Sequence, residues 1–176
     1  MLTFVDLFCG GGFGARGAVT AGARPLLAVD AWDLAADTYK SNFPDAEVIC
    51  SPIEKLKPKV LARRHSPDVL LTSPECTSHS IARGAKPKCE RSRETAIGII
   101  PWIEAMNPRW LIVENVNRMK QWERHNELIS TIKSYDYQVN DLLLNAANFG
   151  TPQSRKRMFL VCDRGGSVIT AGGLYR

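Results

Sequence analysis

Short apolar runs alternate along this chain with segments that carry a helical pattern. Continuous apolar runs of this length are typical of buried strands, and they lie at 2–8, 25–30, 46–50, 68–71 and 110–114. Helical patterns lie at 15–22, 34–42, part of 54–64, 94–106 and 128–134, and a closing pair of strands is predicted at 137–145 and 158–162. This alternation predicts an α/β fold with a mostly parallel, Rossmann-like sheet and helices on both faces.

Four of the predicted strands end in Phe8, Asp30, Leu71 and Glu114. The carboxyl ends of parallel strands meet at one edge of a sheet, where ligands bind in such folds. The segment 72–92 that follows one of these strands is polar and basic, and a loop of this length is usually functional. The sequence therefore predicts a site at this edge.

Cys76 follows the strand at 68–71 within a turn of polar residues. A thiol presented at the end of a strand is a candidate nucleophile, although an inert turn thiol is the alternative. The five cysteines are widely spaced without a C-x-x-C pair, so neither a zinc site nor a disulfide framework is expected.

The chain is modestly basic, with a net charge of +5. Basic residues concentrate between Arg83 and Arg93 and again at 155–157. If both clusters border Cys76, the site faces a polyanion; two solvated loops are the alternative. No apolar stretch approaches the roughly 20 residues of a membrane span, and the first residues lack a basic leader, so a cytoplasmic protein of one main domain is expected.

The segment from Gly12 to Gly17 reads G-x-G-x-x-G, and Asp30 follows at the distance typical of an acid that binds ribose. Trp32 lies where an indole would stack on adenine or pack against the protein. These features fit a nicotinamide or flavin site, a methyl donor with an adenosine end, or a structural turn. The glycine pattern alone does not choose among them.

Four segments in order resemble the C5-cytosine DNA methyltransferases, over about residues 2–162. They are Asp6-Leu7-Phe8-Cys9-Gly10-Gly11-Gly12, Pro74-Glu75-Cys76, Glu114-Asn115-Val116, and Asn148-Phe149-Gly150 with Pro152-Gln153 and Arg155-x-Arg157. The resemblance implies S-adenosyl-L-methionine as the cofactor and DNA, with a base turned out of the duplex, as the substrate. It assigns cofactor contacts to Phe8, Gly10, Gly11, Gly12, Asp30, Trp32 and Ile53.

The same resemblance implies that Cys76 adds to carbon 6 of cytosine and that Glu114 bonds the ring. Arg155 or Arg157 would hold the ring oxygen or stabilise the thiolate and Glu114. The alternatives are a capping role for Glu114 and phosphate binding alone for the arginines.

The chain departs from the family pattern at several positions. Glu75 and Thr77 flank the thiol where the family usually has proline and glutamine, Pro52 stands where an acid often contacts adenine, and Phe13 interrupts the glycine run. Residues 1–162 are expected to form the catalytic domain, without a target-recognition domain, and 163–176 a tail of unclear structure. The chain therefore resembles a catalytic-domain fragment, a minimal relative, or one half of a split enzyme in which a second polypeptide supplies target recognition and the last motif. A binding module without turnover and a nicotinamide oxidoreductase remain alternatives.

Overall fold

A computed structural model describes residues 1–74 and 95–169 of the chain. Within them the seven strands are Thr3–Leu7 (β1), Arg24–Asp30 (β2), Glu47–Cys50 (β3), Val69–Thr72 (β4), Trp110–Asn115 (β5), Gln138–Asn145 (β6) and Lys156–Asp163 (β7). They form one sheet in the order β3-β2-β1-β4-β5-β7-β6. The α-helices are Phe13–Thr20 (α1), Asp33–Asn42 (α2), Pro58–Leu61 (α3), Ile100–Met106 (α4) and His125–Lys133 (α5). The predicted α/β class with a mostly parallel sheet is confirmed.

The described chain divides into two compact units. The first unit comprises residues 1–73 and 98–111, and the second comprises the rest. In the first unit β1 pairs in parallel with β2 and β4, and β2 pairs in parallel with β3. The register sets Leu7 beside Val29 and Thr72. Successive parallel strands therefore end at one edge, where the loops after β1 and β2 begin.

The core of the first unit is built from the apolar runs of these strands and one face of each neighbouring helix. Large side chains with less than 2% exposure include Phe4, Leu27, Tyr39, Leu70 and Trp102. Burial of such side chains removes apolar surface from water and holds the strand ends in place.

The second unit contains an antiparallel hairpin of β6 and β7. Its register runs from Gln138 opposite Asp163 to Asn145 opposite Lys156, and the loop 146–155 connects the strands. Leu128 and Ile132 of α5 are fully buried, as are Met158 and Leu160 of β7. The hairpin thus presents Arg155 and Arg157 at the start of a well-packed strand.

Two helical segments are shorter than their patterns predict, and each contains a proline. In 54–64 the structure has a 3-10 turn at Ile53–Lys55 and then α3, with Pro58 in the first helical turn. The helix predicted over 94–106 begins only at Ile100, after a 3-10 turn, with Pro101 in its first turn. Proline lacks the N–H that a helix interior needs and is tolerated in the first turn, so these prolines set the helix starts.

The chain beyond β7 is held against the hairpin as far as residue 169. Asp163 accepts hydrogen bonds from the backbone N–H of Gly165 and Ser167, and the Asn140 carboxamide donates to Ser167 O and accepts from Ile169 N. In the described part of the chain no helix has the length and apolar character needed to cross a membrane.

Candidate active site

The loop after β1 changes direction at residues whose backbone φ angles lie in the left-handed region. Gly10 has φ 52° and Gly12 has φ 89°, and Phe8 also has a positive φ of 58°. At Gly12 a Cβ would lie 2.5 Å from the Phe43 ring, so a side chain has no room there. At Gly10 a Cβ would meet nothing within 4 Å, which leaves open space beside the backbone. The loop therefore offers the backbone a close approach to a ligand.

Asp30 ties this loop to the end of β2. Its Oδ2 accepts a hydrogen bond from Gly10 N at 2.8 Å, and its Oδ1 accepts one from Trp32 N at 2.9 Å. A carboxylate has about four lone-pair sites, so each oxygen can still accept a further hydrogen bond from a hydroxyl. Asp30, the residue predicted to bind the ribose, thus also holds Gly10 and Trp32, two other residues predicted to contact the cofactor, in position.

Trp32 and Ile53 differ in their availability to a ligand. The Trp32 side chain is 62% exposed at the start of α2, as a stacking surface must be. Ile53 is only 3% exposed and lies against Gly98, where an added Cβ would be 3.4 Å from Ile53 Cδ1. Open space at Gly10, a carboxylate with free lone pairs and an exposed indole together fit the adenosine end of S-adenosylmethionine.

A second carboxyl group, Asp6, lies beneath the glycine loop and was not among the predicted site residues. It is 4% exposed, and its Oδ2 has no hydrogen-bond partner among the described residues. Burial, with a smaller effect from Asp30, raises the pKa of Asp6 to about 8. The same surroundings raise the pKa of the buried Cys9 thiol above its usual range, which fits an inert thiol. The position of an acidic residue inside the apolar run 2–8 was the feature of the sequence that could have identified Asp6.

Glu114 and Arg157 form an ion pair in the second unit. Arg157 Nε lies 3.1 Å from Glu114 Oε1, and the two side chains are 24% and 29% exposed. Burial raises the pKa of Glu114, while Arg157 and then Arg155 act in the opposite direction. A raised pKa favours the protonated form of this carboxyl group.

This pair lies in an open cleft of about 280 Å³ within the second unit. The other lining residues are Leu144, Ala146, Phe149, Arg155 and Phe159. Three of the four predicted catalytic residues thus line one apolar cleft. Its volume and walls suit a planar ring, with the polar groups fixing the ring's orientation.

Asn115 connects the segment of Glu114 with the segment that leads to the candidate nucleophile. Its side chain is 2% exposed, its Nδ2 donates to Pro74 O at 3.0 Å, and its Oδ1 accepts from Val116 N at 2.8 Å. Cys76 itself lies outside the described residues, as do Glu75, Thr77 and the basic segment 83–93. The structure therefore describes the chain up to two residues before the predicted thiol.

Comparison with known proteins identifies the family. The sequence model of the C-5 cytosine-specific DNA methylase family matches residues 2–171. The type II methyltransferase M.HgiDI of Herpetosiphon aurantiacus is 32% identical over 93% of this chain and 53% of its own length. The human tRNA (cytosine(38)-C(5))-methyltransferase is 29% identical over 79% of this chain and 36% of its own length.

The fold comparison agrees with this match. A variant of DNMT2 from Spodoptera frugiperda superposes with a TM-score of 0.78 at 23% identity, covering all of this chain and 53% of the other. The chain therefore spans about half the length of M.HgiDI and of the DNMT2 variant, and about a third of the human enzyme. The family match supports S-adenosyl-L-methionine as the cofactor, in agreement with the glycine loop. By its sequence, this chain belongs to the C-5 cytosine-specific DNA methylase family.

Proposed function

We propose that this chain is the catalytic part of an enzyme that methylates carbon 5 of cytosine in DNA through a covalent adduct on Cys76. The observation that carries the proposal is the half-buried Glu114 carboxyl group, paired with Arg157 in an apolar cleft. Carbon 5 of cytosine is a weak nucleophile, so the reaction needs a residue that adds to the ring and a residue that accommodates the resulting charge.

Cys76 would supply the first function. Its thiolate forms a bond to carbon 6, and the electron pair of the carbon 5–carbon 6 double bond becomes available at carbon 5. When bound, S-adenosylmethionine supplies the methyl group on a sulfonium centre. A base then removes the proton from carbon 5, the double bond re-forms, and Cys76 leaves as the thiolate.

Glu114 would supply the second function. With a raised pKa it can carry a proton to ring nitrogen 3 and accept a hydrogen bond from the exocyclic amine. Arg157 bonds the same carboxyl group and fixes its orientation. Arg155, in the same cleft, is the candidate for the ring oxygen.

The chain's length relative to its relatives bears on its partners. Because it spans only about half of M.HgiDI and of the DNMT2 variant, we infer that target recognition is supplied by a second polypeptide or by sequence outside this chain. A cofactor- or DNA-binding module without turnover is the second candidate, and the same coverage favours it. The tRNA methyltransferase among the relatives makes RNA the alternative substrate.

The test traps the adduct. The chain, with and without a candidate complementing polypeptide, is incubated with S-adenosylmethionine and duplex DNA that carries 5-fluorocytosine. Fluorine at carbon 5 cannot leave as a proton, so the adduct persists and mass spectrometry finds it on the Cys76 peptide. Cys76→Ala should abolish it, whereas Cys50→Ala, which removes an exposed thiol elsewhere, should not.

The other outcomes separate the alternatives. An adduct with 5-fluorocytosine RNA but not with DNA would reassign the substrate. Binding of S-adenosylhomocysteine without any adduct, even with the partner present, would favour the binding module. Binding of NAD without a response to S-adenosylhomocysteine would favour the oxidoreductase.

A further inference from the structure

The loop that contains Arg155 and leads into the strand of Arg157 is closed by one side chain, that of Asn145. Asn145 is the last residue of β6, opposite Lys156 in β7. Its Oδ1 accepts a hydrogen bond from Arg155 N at 2.9 Å and a longer one from Ala147 N at 3.4 Å, and its Nδ2 donates to Ser154 Oγ at 3.3 Å. One carboxamide therefore contacts both ends of the loop 146–155.

The backbone adds one hydrogen bond at the same place, from Ala146 N to Arg155 O at 3.1 Å. The Arg155 peptide is thus held on its N–H by Asn145 and on its C=O by Ala146. Arg155 directly precedes β7 and Arg157 is the second residue of that strand, so the course of the backbone at Arg155 sets how the chain enters the strand that carries Arg157. Arg157 is the residue that contacts Glu114.

We infer that Asn145 is a positioning residue for the proposed reaction, because its carboxamide fixes the backbone from which Arg155 and Arg157 enter the cleft of Glu114. The inference rests on the proposed function only for its role in the reaction. A side chain that merely stabilised the hairpin would leave the arginines in the cleft when removed. A positioning side chain would not.

The test uses the full chain without DNA or cofactor, so its result is readable even if the methylation proposal fails. The first readout is hydrogen exchange at the Arg155 amide. In Asn145→Ala that amide loses its acceptor, and exchange should become about tenfold faster, as expected for the removal of one hydrogen bond. Asn145→Asp keeps an acceptor oxygen and should retain most of the protection.

The second readout is an NMR titration of the Glu114 carboxyl group. Arg157 and Arg155 lower the pKa of this group against the effect of burial, so their displacement in Asn145→Ala should raise it further. The Asn145→Asp variant is measured by hydrogen exchange alone, because its added charge would itself change the pKa of Glu114.

Gln138→Ala is the matched control. It removes an exposed side-chain amide from the far end of the same strand and should change neither readout. Unchanged exchange at Arg155 in Asn145→Ala would overturn the inference. Faster exchange with an unchanged pKa of Glu114 would also overturn it, since Asn145 would then only stabilise the loop.

Discussion

Asp30 and Glu114 are both carboxyl groups at the ends of strands, but their surroundings give them different chemistry. Asp30 accepts hydrogen bonds from two backbone amides and so acts as an acceptor that organises a loop. Glu114 faces a guanidinium group in an apolar cleft, and burial raises its pKa. Similar positions in the sequence pattern therefore give one carboxylate that organises a loop through backbone amides and one partly buried carboxyl group that is paired with an arginine.

Trp32 should contribute to cofactor binding without contributing to stability. Trp32→Ala removes a ring that is 62% exposed, so the melting temperature should change little. If the ring stacks on adenine, the affinity for S-adenosylhomocysteine should fall about tenfold or more in a calorimetric titration. Leu34→Ala, two residues further on and 59% exposed, is the control and should bind normally. Equal affinity in both variants would remove Trp32 from the site.

Asp6 should make stability depend on pH. Its folded pKa of about 8 lies above the ordinary value of 3.8, so between these pH values the folded state holds a proton that the unfolded state releases. The contribution of Asp6 to stability therefore decreases as pH rises through this range. Asp6→Asn removes the effect, and its melting temperature relative to the wild type should be higher at pH 9 than at pH 5.

Asp68 provides a control of opposite sign. It accepts hydrogen bonds from Thr3 N and Thr3 Oγ1, which lower its pKa, so its contribution to stability is lost as pH falls. Asp68→Asn should therefore lower the melting temperature at neutral pH and have a smaller effect in acid. A melting difference for Asp6→Asn that is the same at every pH would contradict the assignment.

At the scale of elements, the start of α1 depends on how closely its loop approaches α2. Gly12 caps this helix with a left-handed conformation, and the Phe43 ring fills the space beside it. This close approach restricts the backbone of the glycine loop to one arrangement. A loop that binds a ligand requires such a fixed backbone.

Gly12→Ala should therefore be destabilising. The added methyl group combines a strained φ with overpacking, and we expect a decrease of about 1–3 kcal/mol in the free energy of unfolding by urea. Gly17→Ala lies inside the same helix, where a Cβ meets nothing within 4 Å. It should be neutral or stabilising by up to about 1 kcal/mol. Similar decreases in the free energy of unfolding of both variants would show that the loss of stability comes from the helix and not from the close approach of Gly12 to Phe43.

At the scale of the whole molecule, the net charge of +5 matters because of its distribution along the chain. Between Arg83 and Arg93 the basic residues are accompanied by Glu90 alone. Each phosphate group that such a segment neutralises releases counterions, so binding to DNA should weaken steeply with salt.

Neutralising Arg83, Lys86 and Lys88 to Gln should reduce the salt dependence of DNA affinity. The slope of log affinity against log salt concentration should decrease by about 0.9 for each phosphate group that is no longer neutralised, as measured by fluorescence anisotropy. The matched control neutralises Lys55, Lys57 and Arg63, which are exposed in the first unit. If both triple variants change the slope equally, the basic segment has no special role in DNA binding.

The order of the motifs and the apolar runs determined the fold class and the family of this protein from the sequence alone. The strands β1, β2 and β4 of the described chain follow from these runs, because a buried strand needs a continuous apolar segment. The types of residue that carry the proposed chemistry can likewise be read from the sequence. The starts of α3 and α4 were harder to predict from the sequence. Proline is tolerated in the first turn of a helix but not in its interior, so the helices could begin only near Pro58 and Pro101.

Only the tertiary structure decided how the site residues interact. It paired Glu114 with Arg157 and gave both Asp30 oxygens backbone partners. It also buried Asp6 with one oxygen that lacks a partner among the described residues, and it closed the loop 146–155 through Asn145. It also placed β7 between β5 and β6, although β6 comes first in the chain. Hydrophobic patterns are local properties of a sequence, whereas a hydrogen bond or the loss of solvent around a charge depends on groups that are distant in the chain and meet only after folding.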